Sequence, residues 1–162
     1  MIKSNDIEHK YENLAQKNKA IVRRFMDAYN NRELEIFDEL VAEDYIDHVF
    51  EQQGREYLRQ LFTMAFEAFP DWYEAIEDII AEGDKVWLRV KATGTHTGEW
   101  DLFGAKLPPT GKKTSITMVF IWRIENGKLA EGWEVDDNLE FLRQLGVVDY
   151  TEKGKPIESV FK

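Results

Sequence analysis

Pro70 separates two hydrophobic rhythms, and that change of period constrains the fold of this chain more than any other feature. Before it, apolar residues recur at three- and four-residue spacing, the signature of amphipathic helices. Leu14, Ile21, Val22, Phe25, Met26 and Tyr29 form one stripe, which ends at Asn30-Asn31. Leu34, Ile36, Phe37, Leu40 and Val41 mark a second, shorter helix. Tyr57, Leu58, Leu61, Phe62, Ala65 and Phe69 mark a third, which Pro70 stops because proline lacks the N–H that a helix needs. After Pro70 the period is two. Residues 72–82 read as a strand, followed by a turn at Glu82-Gly83-Asp84-Lys85. Val86, Leu88, Val90 and Ala92 then alternate with Lys85, Arg89 and Lys91. Residues 98–113, rich in Gly and Pro, read as a long loop, and 114–125 as a central strand. Asn126-Gly127 is a strong hairpin signal, so 128–137 return as a strand before a short helix that ends at Gly146. Helices first and a meander second predict an α+β domain. Its helices cover one face of a curved, mostly antiparallel sheet and leave an apolar pocket between the layers.

The length of 162 residues suits one domain. We expect a polar extension over 1–12, a domain over 13–148 and a tail over 149–162. The chain has no cysteine, which removes disulfides, thiolate metal sites and a cysteine nucleophile. The first thirty residues show no apolar core of a secretory signal and no run is apolar enough to span a bilayer, so the expected compartment is the cytoplasm. The net charge is −10, and residues 27–84 carry 17 acidic side chains against 3 basic ones. That balance repels phosphate backbones and argues against nucleic acid as a partner. No HExxH, P-loop or GxSxG pattern is present, so neither a zinc hydrolase, an NTPase nor a serine hydrolase is indicated, and no metal site is expected.

Three residues are candidates for chemistry. Asp137 shares parity with Leu129, Glu131, Trp133 and Val135, which would place it inside at the end of the last strand. There, desolvation would raise its pKa and suit it to proton transfer. The structural alternative is an N-cap for the last helix, with Asp136 an equal candidate for that role. His96 shares parity with Val86 and Val90 and is expected to point inward, either to polarise a ligand carbonyl or to bond loop backbone. His48 follows the second helix, with Tyr45 nearby. Aromatics are numerous, at 5 Trp, 10 Phe and 6 Tyr. Phe62, Phe66, Trp100, Trp122 and Trp133 are the expected walls for an apolar ligand, with Trp100 and Phe103 as a possible lid or dimer contact.

Several local strings, in this order, resemble the SnoaL-like polyketide cyclase family of the ketosteroid-isomerase-like superfamily. They are Asp44-Tyr45-Ile46-Asp47-His48, Phe69-Pro70-Asp71-Trp72, Glu82-Gly83-Asp84-Lys85-Val86 and Gly94-Thr95-His96-Thr97-Gly98-Glu99. Pro108-Pro109-Thr110-Gly111-Lys112, Gly127-Lys128-Leu129 and Glu131-Gly132-Trp133, followed by Asp137 and Gln144-Leu145-Gly146, complete the set. The resemblance covers about residues 18–147. It implies a cone-shaped α+β barrel, often a homodimer, that closes a ring by intramolecular aldol condensation without metal or cofactor. It also implies an acid/base aspartate four residues after the last-strand Trp, the position of Asp137. Asp136 stands where the family more often has an apolar residue, and the 98–108 loop is longer than its commonest form. The function expected on this basis is a cyclase, with Asp137, His96 and His48 catalytic. An isomerase or hydrolase on the same pocket, a non-catalytic binder of an apolar small molecule, and a dimerisation domain using Val119 and Ile121 are the alternatives.

Overall fold

The computed structural model describes residues 4–102 and 104–155, and of residues 4–10 and Leu102 the backbone alone. Helix α1 spans Ser4–Asn31, and a 3-10 turn (Leu34–Ile36) leads into the short α2 (Phe37–Leu40). Strands β1 (Val41–Asp47) and β2 (Gln52–Gln53) precede α3 (Arg55–Ala68). Then come β3 (Tyr73–Glu82), β4 (Lys85–Thr95), β5 (Trp100–Leu102), β6 (Ala105–Leu107), β7 (Lys113–Glu125), β8 (Lys128–Asp136) and α4 (Asn138–Leu145). Six strands form one mixed sheet in the order β2-β1-β8-β7-β4-β3, in which only β1 and β8 run parallel. The expected α+β cone is the observed architecture.

The polar N-terminal segment is helical in the described residues: α1 begins at Ser4, ten residues before the apolar stripe begins at Leu14. A helix continues through polar sequence once a later face is packed, because propagation adds one hydrogen bond per residue while nucleation carries the cost. One expectation is corrected: the 98–113 stretch is not all loop. Trp100 pairs with Leu107 and Leu102 with Ala105 in a small hairpin, β5–β6. Phe103 lies outside the described residues.

The core forms where α1 and α3 lie on the sheet. Val22, Phe25, Met26 and Tyr29 of α1 pack with Val86, Leu88 and Val90 of β4 and with Ile116, Phe120 and Trp122 of β7. Inward residues of β4 and β7 alternate strictly with outward ones, as a half-buried sheet requires. At its C-terminal end α1 is tied to β3. Asn30 Nδ2 donates to the Glu74 carbonyl, and the Glu74 N–H donates to Asn30 Oδ1, each at 2.9 Å. Arg32 leaves the helix at φ 67° and donates to the carbonyls of Pro70 (3.1 Å) and Trp72 (2.7 Å).

One irregularity decides what β8 presents inward. Ile124 pairs with Leu129, but Arg123 pairs with Glu131, so Ala130 is an extra residue opposite a single step of β7. A bulge of this kind exchanges the faces of every residue beyond it. Leu129 is buried before the bulge. Beyond it Gly132 faces the interior opposite Trp122, Glu134 opposite Phe120 and Asp136 opposite Met118, while Val135 is 68% exposed.

Candidate active site

A cavity of about 340 Å³ opens between the concave face of the sheet and the helices. Phe25 of α1, Phe62 of α3, Phe120 and Trp122 of β7, Trp100 of the hairpin and Phe141 of α4 supply much of its wall. Three carboxyl side chains reach into this apolar space: Glu74 from β3, and Glu134 and Asp136 from β8. The bulge at Ala130 puts the latter two there. Glu74 shares strand parity with buried Trp72 and is fixed through its backbone by Asn30.

Burial governs all three. It pushes the Glu74 carboxyl up to about 7, although the Trp72 Nε1–H (2.9 Å) and the Tyr29 hydroxyl donate to it. It raises Glu134 well above the usual carboxylate range, and the neighbouring Asp136 charge adds to the effect. Asp136 is raised as well, again by burial. Glu134 and Asp136 hydrogen-bond each other, which a pair of carboxyls does by sharing a proton. The Asp136 Oδ1 is buried and takes no hydrogen bond. Burial thus lets three neighbouring carboxyls keep protons to higher pH than solvated carboxylates do, the condition for giving and taking protons in one site.

Behind Phe62 and Trp122 lies a smaller chamber of about 30 Å³, bordered by Tyr45, Asp47, Gly132 and Glu134. A Cβ on Gly132 would stand 1.8 Å from the Tyr45 hydroxyl oxygen, so only glycine lets that hydroxyl lie against β8. Trp122 donates to it.

The structure brings together only part of the expected set. Phe62, Trp100 and Trp122 line the main cavity, and Tyr45 borders the inner chamber. Phe66 does not line the cavity; the Arg32 guanidinium lies 3.8 Å over its ring. Trp133 touches the inner chamber, but its ring stacks on the exposed His48 at 4.3 Å and has the Lys85 ammonium 5.2 Å from its centre. His48 is correspondingly outside the cavity, with Nε2 2.8 Å from the Glu131 carboxylate. His96 points inward, as its parity predicts, yet Phe69 of the cavity wall stacks on it at 4.8 Å. Its Nδ1 accepts the Thr110 N–H, which ties the loop, and burial lowers its pKa and so favours the neutral ring. The expected inward orientation of Asp137 is also corrected. Its Oδ1 accepts the Glu140 N–H at 3.0 Å, and its exposed side chain caps α4. The bulge is the physical reason. Among the described residues no three His, Asp or Glu side chains are grouped to hold a metal ion, and no helix is long and apolar enough to cross a membrane.

Glu74, Glu134 and Asp136 were missed by the sequence reading. Glu74 had a usable signal in its parity with Trp72. Glu134 and Asp136 share parity with Gly132 and Ala130, small residues that announce no core face.

A cone-shaped α+β domain with carboxyl groups lining an aromatic cavity defines a class of small acid/base proteins. Within that class, the chain belongs to the SnoaL-like polyketide cyclase family, whose model matches residues 19–145. It is 31% identical over 134 residues to the aklanonic acid methyl ester cyclases DauD of Streptomyces sp. (strain C5) and DnrD of Streptomyces peucetius. These matches cover 78% of this chain and 80% and 88% of the relatives. Among solved structures, IdmH from Streptomyces antibioticus superposes with a TM-score of 0.68 at 30% identity, over 80% of this chain and 99% of that one.

Proposed function

We propose that this protein is a cyclase that closes a ring by intramolecular aldol addition within an apolar polycarbonyl substrate, using Asp136 and Glu134 as its acid/base pair. The observation that carries this reading is the hydrogen-bonded Glu134–Asp136 carboxyl pair lining an aromatic cavity. An ionised carboxylate of the pair removes a proton from the carbon beside one carbonyl. The enolate carbon attacks a second carbonyl of the same molecule, and the resulting alkoxide takes a proton from a neutral carboxyl of the cluster. One proton leaves carbon and one arrives at oxygen, so the net reaction is an isomerisation that consumes no metal or cofactor. Glu74, held by Trp72 and Tyr29, tunes the pair electrostatically. Asp137 positions α4 and takes no proton in this scheme. The family's named members DauD and DnrD support a substrate of the keto-ester type, esterified and therefore uncharged.

Two further parts of the proposal concern the setting. The outer sheet face presents Ile80, Trp87, Ile121 and Trp133 in one cross-strand row beside exposed Val135, which suits a homodimer interface. Trp87→Glu should turn a dimer into a monomer in analytical ultracentrifugation. The cysteine-free sequence favours a reducing cytoplasm.

The decisive test is turnover of aklanonic acid methyl ester, followed by mass-neutral conversion to a cyclised product. Wild type and Asp137→Asn should convert it, whereas Asp136→Asn and Glu134→Gln should be slowed at least a hundredfold while retaining native circular dichroism. Full activity in folded Asp136→Asn and Glu134→Gln would overturn the assignment of the acid/base pair.

A further inference from the structure

The charge of the cavity is one-sided. Glu74, Glu134 and Asp136 line it, and none of its described lining residues is Lys, Arg or His. Arg32, the cation that acts on Glu74, is committed to backbone carbonyls and to the Phe66 ring. The remaining wall is mostly aromatic, and aromatic faces attract cations because their π electrons are negative. An independent observation points the same way. The Glu134–Asp136 pair lines the cavity and its carboxyls hydrogen-bond only each other, so among the described residues no protein N–H meets the pair, and a ligand bearing N–H groups would supply the missing donors.

We propose that this cavity binds apolar molecules carrying an ammonium group, with the cation seated between the Glu134–Asp136 pair and the aromatic wall of the cavity. The inference concerns the ligand's charge and stands apart from which reaction, if any, the site performs. A cation at the pair favours the ionised carboxyls, so binding expels protons from the cluster. The other ionisable groups that act on the three carboxyls are Tyr29 and Arg32 from α1 and Tyr45 and Asp47 from β1. From α3, β7 and α4 the cavity receives apolar side chains and Asn138. None of these supplies a competing cation at the pair.

The test uses three probes with the same two-ring body: 2-naphthylmethylamine, 2-naphthylmethanol and 2-naphthoate. Titration calorimetry on the full chain at pH 8 should give the ammonium probe at least tenfold tighter binding than the alcohol, with the naphthoate weakest. The advantage should shrink several-fold at pH 5, where burial keeps more of the cluster's protons in place while the amine remains charged. Heats in buffers of different ionisation enthalpy should reveal protons released with the amine and none with the alcohol. Glu134→Gln and Glu74→Gln should each bind the alcohol as wild type does and lose most of the ammonium preference, while Asp137→Asn keeps it. Equal affinity for amine and alcohol, a preference for naphthoate, or binding of none of the three would overturn the proposal. Alcohol binding without an ammonium preference would leave the cyclase reading standing.

Discussion

Ala130 decides which acid meets the cavity. Without the extra residue, strict alternation would carry Asp137 inward, and that is what parity along the last strand predicts. With it, Glu134 and Asp136 turn in and Asp137 turns out to cap α4. The two neighbouring aspartates therefore separate on measurement. Asp137→Ala removes an N-cap and should lower stability by roughly 1 kcal/mol in chemical denaturation, while turnover stays within a few-fold of wild type. Asp136→Asn should do the reverse, abolishing turnover without the stability loss that removing a helix cap brings. A loss of turnover in Asp137→Ala at unchanged stability would contradict this division of roles. Gly132 makes a second residue-scale case. An alanine there drives its Cβ into the Tyr45 hydroxyl, so Gly132→Ala should cost about 1–3 kcal/mol by overpacking. Tyr45→Phe in the same chain should recover part of that loss, because the clashing oxygen is gone. Additive losses in the double variant would sink the explanation. The candidate site was only partly legible for this reason: residue type and parity are written in the sequence, whereas a one-residue bulge is set by pairing with a strand elsewhere. Trp100 and Trp122 were found because bulky aromatics mark a core in either register.

At the scale of elements, most of the fold follows from the two periods. The turns at Gly83 and Asn126-Gly127, the strict alternation of β4 and β7, and the stop at Pro70 all occur where local chemistry demands them. The β5–β6 hairpin escaped because three-residue strands give too few alternations to count, and their partner strand is the only context that reveals them. The hairpin has a function in packing that its length conceals. It delivers Trp100 edge-on to Phe69 (5.9 Å) and Phe141 (5.5 Å), closing one side of the cavity against α4. Its base is held where Thr97 and Gly98 donate to the Ala68 carbonyl, and a Cβ at Gly98 would stand 2.0 Å from the Glu67 carbonyl oxygen. Trp100→Ala should thus weaken binding of a naphthyl probe more than tenfold in calorimetry. Because Trp100 is only partly buried, its cost in thermal stability should stay below that of Phe25→Ala in the central core. Equal stability losses with unchanged probe affinity would remove the hairpin from the binding site.

For the whole molecule, buried carboxyls impose a direction on the pH dependence of stability. Glu74 titrates near 7 in the folded protein and near 4.5 when unfolded. Between those values the folded state holds the proton more tightly, so stability is greatest below about pH 4.5, declines as pH rises and levels off above 7. For Glu74 alone the decline is roughly 3 kcal/mol, the free energy of depressing its ionisation across that interval. Glu134 and Asp136 act in the same direction, and so does the self-repulsion of a chain at net −10. Glu39, Asp71, Glu131 and Glu140 oppose them, since hydrogen bonds hold each below the usual range, but these are partly or fully exposed surface pairings and each contributes little. Replacing Glu74 by glutamine keeps the hydrogen-bonding shape and removes the titration. Thermal melts of wild type should therefore fall in midpoint from pH 5 to pH 7.5, and Glu74→Gln should flatten much of that slope. The exposed Glu33→Gln changes net charge by the same amount and should leave the slope intact. Parallel curves for wild type and Glu74→Gln would mean that Glu74 is ionised in the folded protein. The cavity would then hold a fixed negative charge rather than a transferable proton at that position.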